Sequence, residues 1–445
     1  MKNYNVKKII CIILCLTLLL AAIGIPKHIS GVKAANETET VNESSTTETI
    51  TQDSSVPNDT PDGTVINNTA SDDELRGVWI SFLSYNSKGY TKESFTRYIQ
   101  RVFDNCVNNK MNAVFVHVRM FSDAMYSSRY FPWSSYASGK QGRNPGFDPL
   151  DIMIKEAHSR GLKIHAWINP YRITNATMKT SYVARNSYAY KWMHSKNKST
   201  RRNVLKHNGA LYFNPARSTV RNYITNGIKE IVNNYNVDGI HFDDYFYPNL
   251  GSAYKKNFDY KEYRSYVKSC RRHHKTPLGI VAWRRSNVNR LVRMAYTAVK
   301  NIDSNCEFGI SPAGYISNLY SKCAYYSDVK KWMKTPGYID YICPQIYWSQ
   351  RNHTAPYNKI CNQWASIKRL DNVKLYTGLA AYRAGISKKE AKLIYDKYWA
   401  KSNSILKRQI QYGRTKGSSG FIFFSYEDFV RSSAKKEIKN AVSLF

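Results

Sequence analysis

Long hydrophobic runs are nearly missing from this chain of 445 residues. The single one, residues 9–25, excludes a polytopic membrane protein. No Cys and His residues stand at zinc-binding spacing, and no glycine pattern matches a phosphate-cradling loop. Those absences remove the commonest nucleic-acid and nucleotide modules. Acids are few as well, 32 Asp+Glu against 66 Lys+Arg. Residues 35–74 lack Lys, Arg and aromatics altogether, while holding ten acids among Thr, Ser and Asn. Such a stretch has too little apolar surface to fold and reads as a disordered spacer.

Lys2, Lys7 and Lys8 precede the apolar run, and Val32-Lys33-Ala34 offers a small-residue cleavage site. Residues 1–34 therefore read as a secretory signal peptide, with a retained N-terminal anchor as the alternative. Cys15 has no small residue before it, which speaks against lipid attachment. With five bases in the first 34 residues and ten acids in the spacer, the remaining chain carries +39. A domain that basic calls for polyanionic partners. Outside a cell these are wall polysaccharide and anionic wall polymers rather than nucleic acid, and no stable protein partner is implied. Cys106, Cys270, Cys306, Cys323, Cys343 and Cys361 are scattered, so buried free thiols are expected, with pairing left open for an exported chain.

Over residues 75–445, short β-rich runs alternate with amphipathic helical stretches. Strands are expected at 77–83, 113–119, 162–169, 237–243, 307–311, 339–347, 373–380 and 420–425, with helices at 91–109, 149–160, 219–235 and 388–412 between them. Eight such repeats predict a (β/α)8 TIM barrel, α/β in class, with long inserts after the third and fourth strands. Strand parity sharpens this expectation. Val114, Val116 and Val118 share one face of the second strand, leaving Phe115, His117 and Arg119 on the other. The same alternation puts His165, Trp167 and Asn169, then His241 and Asp243, on lumen positions. Arg119, Asn169, Asp243, Ser311, Gln345 and Tyr347 are then expected to converge at the strand ends.

Several segments carry a resemblance. Arg76-Gly77-Val78-Trp79, Val118-Arg119 with Asp123-Ala124-Met125-Tyr126, Gly146-Phe147-Asp148-Pro149-Leu150 and the run from His165 to Arg172 are similar to glycosyl-hydrolase-like family 10. Asp238-Gly239-Ile240-His241-Phe242-Asp243-Asp244-Tyr245-Phe246-Tyr247-Pro248 is the most specific match, extended by Gly309-Ile310-Ser311-Pro312 and Pro344-Gln345-Ile346-Tyr347-Trp348. The resemblance implies an exported bacterial barrel linked to cleavage of peptidoglycan glycans stripped of stem peptides. Many members are lipoproteins, so the missing lipid signal is a departure. The fourth-strand motif also resembles glycoside hydrolase family 18, with Tyr245 where that family has its acid Glu.

Glycoside cleavage generally needs a proton donor and a second carboxylate. Asp243, at the end of the fourth strand, is the first candidate. Asp123, Asp244 and Glu427 are its possible partners, and Asp244 joins the pocket only if the chain turns there. Arg119 and Arg172 are candidates for a muramyl carboxylate, and Tyr171, Tyr245, Trp348 and Tyr426 for stacking on sugar faces. Gln345 and Tyr347 resemble the family 18 residues that assist a substrate acetamido group. Asn169, His165 and His241 complete the expected binding set, although the three histidines, with His117, sit a layer below the strand ends. Hydrogen-bonded filling of the barrel is their expected role, and neither metal nor cofactor is called for. The expected function is a secreted wall-glycan hydrolase. A non-catalytic wall-binding barrel and a family 18-like substrate-assisted hexosaminidase are the alternatives.

Overall fold

A computed structural model describes residues 73–445. The expected signal peptide and the expected spacer up to residue 72 lie outside these residues. Eight parallel strands form the frame: β1 (Leu75–Ile80), β2 (Ala113–Arg119), β3 (Lys163–Ile168), β4 (Gly239–Phe242), β5 (Glu307–Ile310), β6 (Tyr341–Ile342), β7 in two pieces (Lys374–Leu375 and Thr377–Leu379) and β8 (Gly420–Phe423). Each pairs with its sequence neighbour, and β8 pairs with both β1 and β7. The first piece of β7 pairs with β6 and the second with β8, so the ring closes through Tyr376. This is the TIM barrel that the alternation predicts.

Helices cover the outside. The principal ones before β5 are α1 (Lys92–Asn108), α2 (Pro149–His158), α3 (Ser218–Asn234), α4 (Tyr260–Arg272) and α5 (Ile280–Lys300). Later come α6 (Tyr357–Ala365) and α7 (Ile405–Thr415). Their starts follow local chemistry. Thr91 and Ser94 form a reciprocal capping box on α1, and the Asp148 carboxylate accepts from Leu150 and Asp151 amides ahead of Pro149 on α2.

Two cores result from the strand alternation. Val114, Val116, Ile164, Ala166, Ile168, Ile240, Phe242, Phe308 and Ile310 face the helices. Trp79, Phe115, Trp167, Tyr341, Cys343, Tyr376 and Ile422 fill the lumen. Large rings need small neighbours: a Cβ on Gly309 would lie 2.1 Å from the Tyr341 ring, and one on Gly239 2.2 Å from His165 Nδ1.

Three expectations change in detail. Glu74, assigned to the spacer, is buried and holds Arg414 of α7 through two bonds of 2.7 and 2.9 Å. The helix expected at 388–412 breaks, because Tyr395 takes a left-handed φ of 52° and Asp396 turns inward to accept from Ser349. The insert after β3 contains an antiparallel hairpin, Val204–His207 with Ala210–Phe213, turned by Asn208-Gly209 at φ 45° and 81°. The six cysteines of the described residues are free; Cys106, Cys306, Cys343 and Cys361 are buried as expected, while Cys270 and Cys323 are half-buried.

Candidate active site

The lumen is built in layers. Lowest, His165 stacks on Phe115 (4.5 Å), and its Nε2 sits 3.8 Å from the Glu307 carboxylate at the strand starts. Above it, Trp79 Nε1 donates to His241 Nε2 (3.1 Å), and the Tyr341 hydroxyl lies 2.9 Å from His241 Nδ1 and 3.2 Å from His165 Nδ1. An indole N–H can only donate, so His241 carries its proton on Nδ1 and gives it to the Tyr341 oxygen. The Tyr341 O–H then donates to His165. Burial depresses both imidazoles, His165 to about 4, so both are neutral.

The next layer is the mouth. His117 lies flat on Trp167, with centroids 3.8 Å apart, and its Nε2 is 3.0 Å from Asn169 Oδ1. Trp167 Nε1 donates to Asp243 Oδ2 (3.3 Å), and the Tyr245 amide donates to Asp243 Oδ1 (3.2 Å). Three buried polar atoms here, His117 Nδ1, Asn169 Nδ2 and Ser311 Oγ, have no partner among the described residues. Buried polar groups are rarely left so, and ligand hydroxyl or amide groups would satisfy them.

β4 ends at Phe242, and the chain bends at Asp244, where the Phe246 amide donates to the Asp244 carbonyl (2.9 Å). The bend brings the two carboxyls into one electrostatic group with Tyr347, Tyr325 and Arg172. Burial, then repulsion from Asp244, raises Asp243 well above the usual carboxylate range. Burial raises Asp244 to about 7, with Arg172 opposing. Arg172 itself lies over the Tyr245 ring (4.6 Å) and Phe121 (5.5 Å). Around the rim, Gln345 Nε2 donates to the Ser311 carbonyl (3.0 Å), Tyr347 stacks on Phe424, and Trp348 meets Tyr315 edge-on. Tyr245 is 37% exposed.

Several expected site residues lie elsewhere. A register shift between His117 and Arg119 pairs Arg119 with Ile168, so Arg119 falls on the shell side. Its guanidinium sits 3.9 Å from the Phe131 centroid, beside Gly227 of α3. Tyr171 is fully buried in the shell core and offers no face to a sugar. Tyr426 is buried there too, within 3.4 Å of the Asn105 amide. His165 and His241 are sealed below the mouth. Both Glu427 oxygens are taken by hydroxyls, those of Ser84 and Ser425, at the β8–β1 shoulder. Asp123 is buried in the loop after β2, where Gln141 Nε2 donates to it (3.2 Å). Asp244 is therefore the carboxylate brought to Asp243. Trp167, which fixes Asp243 and carries His117, was absent from the expected set although its lumen parity was plain. Among the described residues no three His, Cys, Asp or Glu side chains are placed to share a metal ion.

Known proteins match this chain over the same region. The family model described as Glycosyl hydrolase-like 10 matches residues 74–399. Glycosyl hydrolase YngK of Bacillus subtilis (strain 168) is 36% identical over 336 residues, covering 70% of this chain and 62% of YngK. Glycosyl hydrolase DigH of Escherichia coli (strain K12) is 31% identical over 339 residues, covering 71% of this chain and 75% of DigH. The chain thus spans less than two thirds of YngK's length. Among solved structures, α-L-fucosidase isoenzyme 2 from Paenibacillus thiaminolyticus aligns with a TM-score of 0.51 at 12% identity, covering 83% of this chain and 49% of that one, a likeness of fold alone. The matched segment runs from Glu74 through the Asp243-Asp244 turn and past β7, and over that length the chain belongs to the glycosyl hydrolase-like 10 family.

Proposed function

We propose that the protein is a glycoside hydrolase, exported to the cell wall, that cleaves peptidoglycan glycan stripped of its stem peptides. The observation that carries this reading is the buried Asp243 with its half-buried neighbour Asp244, beside Arg172. Burial raises both carboxyls, and a raised carboxyl is what general acid catalysis of glycoside cleavage requires. Asp244 keeps an edge open to solvent and titrates near neutrality, which suits the proton donor to the leaving oxygen. The Trp167 indole and the Tyr245 amide donate to Asp243 and oppose the burial that raises it; of its two forms they favour the ionised one, which suits the carboxylate that supports the developing glycosyl cation. Asn169 Nδ2 and Ser311 Oγ are free to bond sugar hydroxyls or acetamido groups. Arg172 offers the cation for a lactyl carboxylate, and the +39 chain after the spacer favours anionic wall.

Tyr347 stands in the same electrostatic group as Asp244, which favours a second reading: the substrate acetamido oxygen attacks in place of an enzyme carboxylate. The test compares release of reducing ends from peptide-stripped muramyl glycan and from chitin oligomers, with wild type and Asp243→Asn. Faster cleavage of the muramyl glycan is expected, with a loss of about 10²–10⁴-fold in the variant at unchanged melting temperature. Equal or better turnover of chitin sinks the muramyl assignment. A variant that keeps most of its rate removes Asp243 from the mechanism.

A further inference from the structure

We propose that a second binding groove on the flank of the barrel takes the carboxylate-bearing continuation of the glycan whose scissile bond lies at the mouth; the identity of this occupant rests on the function proposed above. The groove is an open cleft of about 710 Å³ between the segments that follow β5 and β6, floored by Tyr315, Ile316, Tyr320 and Ile367. Lys330, Lys334 and Lys368 stand along it, all exposed. The ion pairs of the described residues include none of these three lysines. Arg285 adds a fourth positive charge, its guanidinium 4.8 Å from the centroid of the Tyr320 ring. The nearby Asp328 carboxylate is engaged by Asn289 Nδ2 (3.0 Å) and the Tyr320 hydroxyl (3.3 Å).

A short rigid strap joins this groove to the mouth. Ser311, with its unpartnered hydroxyl, and Tyr315, on the groove floor, are four residues apart, a span of at most about 14 Å. The strap lies tight against the rim: a Cβ on Gly314 would come within 2.3 Å of the Gln345 carbonyl oxygen. Trp364 of α6 fixes it from outside by donating to the Gly314 carbonyl (2.7 Å). Tyr315 in turn touches Trp348, so aromatic surface continues from the rim into the groove. A phenol ring such as that of Tyr315 stacks on the apolar face of a pyranose, and ammonium groups outside any ion pair, including Lys330 whose Nζ lies 5.9 Å from the Tyr320 centroid, receive carboxylates. A flexible polyphosphate has no such faces, which decides for a carboxylated sugar chain over a phosphate polymer.

The test measures binding in an Asp243→Asn background, by calorimetry, to long peptide-stripped muramyl strands, to a muramyl tetrasaccharide, to chitin oligomers and to polyphosphate. Reversing the three lysines (Lys330→Glu, Lys334→Glu, Lys368→Glu) is expected to weaken long-strand binding by about tenfold or more, with tetrasaccharide and chitin affinities changed less than about twofold. The corresponding Lys→Gln triple variant, whose melting temperature is checked alongside, should lose an intermediate amount. Unchanged long-strand affinity in a folded triple variant overturns the proposal. So does polyphosphate binding as tight as the glycan and equally dependent on the lysines. If the active enzyme cleaves no glycan, yet long-strand binding still depends on the lysines, the catalytic reading falls and the groove stands.

Discussion

Asp243 and Asp244 are sequence neighbours, and a continuing strand would send them to opposite faces. The bend after Phe242 keeps both at the mouth; burial raises each, and Asp244 raises Asp243 further. Asp244 is raised from 3.8 to about 7, so between those values the folded chain holds a proton that the unfolded chain has lost. Stability from this group is therefore greatest in acid, falls as pH rises through that window and is level above it. Thermal melts between pH 4 and 8 should show this decline in wild type and lose part of it in Asp244→Asn. As proton donor, the same group predicts a fall in kcat/KM above about pH 7, and an alkaline limb unchanged in Asp244→Asn would argue for another acid. Asp243 was legible from parity alone. Arg119 was not, because the one-residue register shift before it leaves no mark in composition and turns the side chain to the other core.

All eight strands were legible as elements because a packed barrel needs β-rich runs at regular intervals, and the alternation within β2, β3 and β4 separated shell from lumen. The breaks were harder to read. Residues 388–412 are periodic enough to suggest one helix, but the burial of Asp396 under Ser349 is a tertiary demand. Glycine in β4 and β5 reads from sequence as a weakness, yet here it makes room for His165 and Tyr341. Gly309→Ala should accordingly lower stability by about 1–3 kcal/mol through overpacking, measured by urea unfolding. A neutral result would mean that the Tyr341 ring swings aside and gives up its bonds to the histidines.

Charge acts on the whole molecule. The chain carries +34, and +39 from residue 75 onward; that charge is drawn to anionic wall over long range, and salt screens the attraction within about 8 Å under physiological conditions. Raising salt should release the protein from purified wall while turnover of a short soluble glycan falls little; parallel losses would tie catalysis itself to the long-range field. The ring seam has a separate consequence for anyone expressing this protein. The family match stops at residue 399, ahead of β8. A gene trimmed to that boundary would delete the strand that joins β7 to β1, leaving two bare sheet edges with every outward amide and carbonyl available to another chain. Such a fragment would be a template for aggregation, so the C-terminal stretch belongs in any clone meant to yield the barrel in solution.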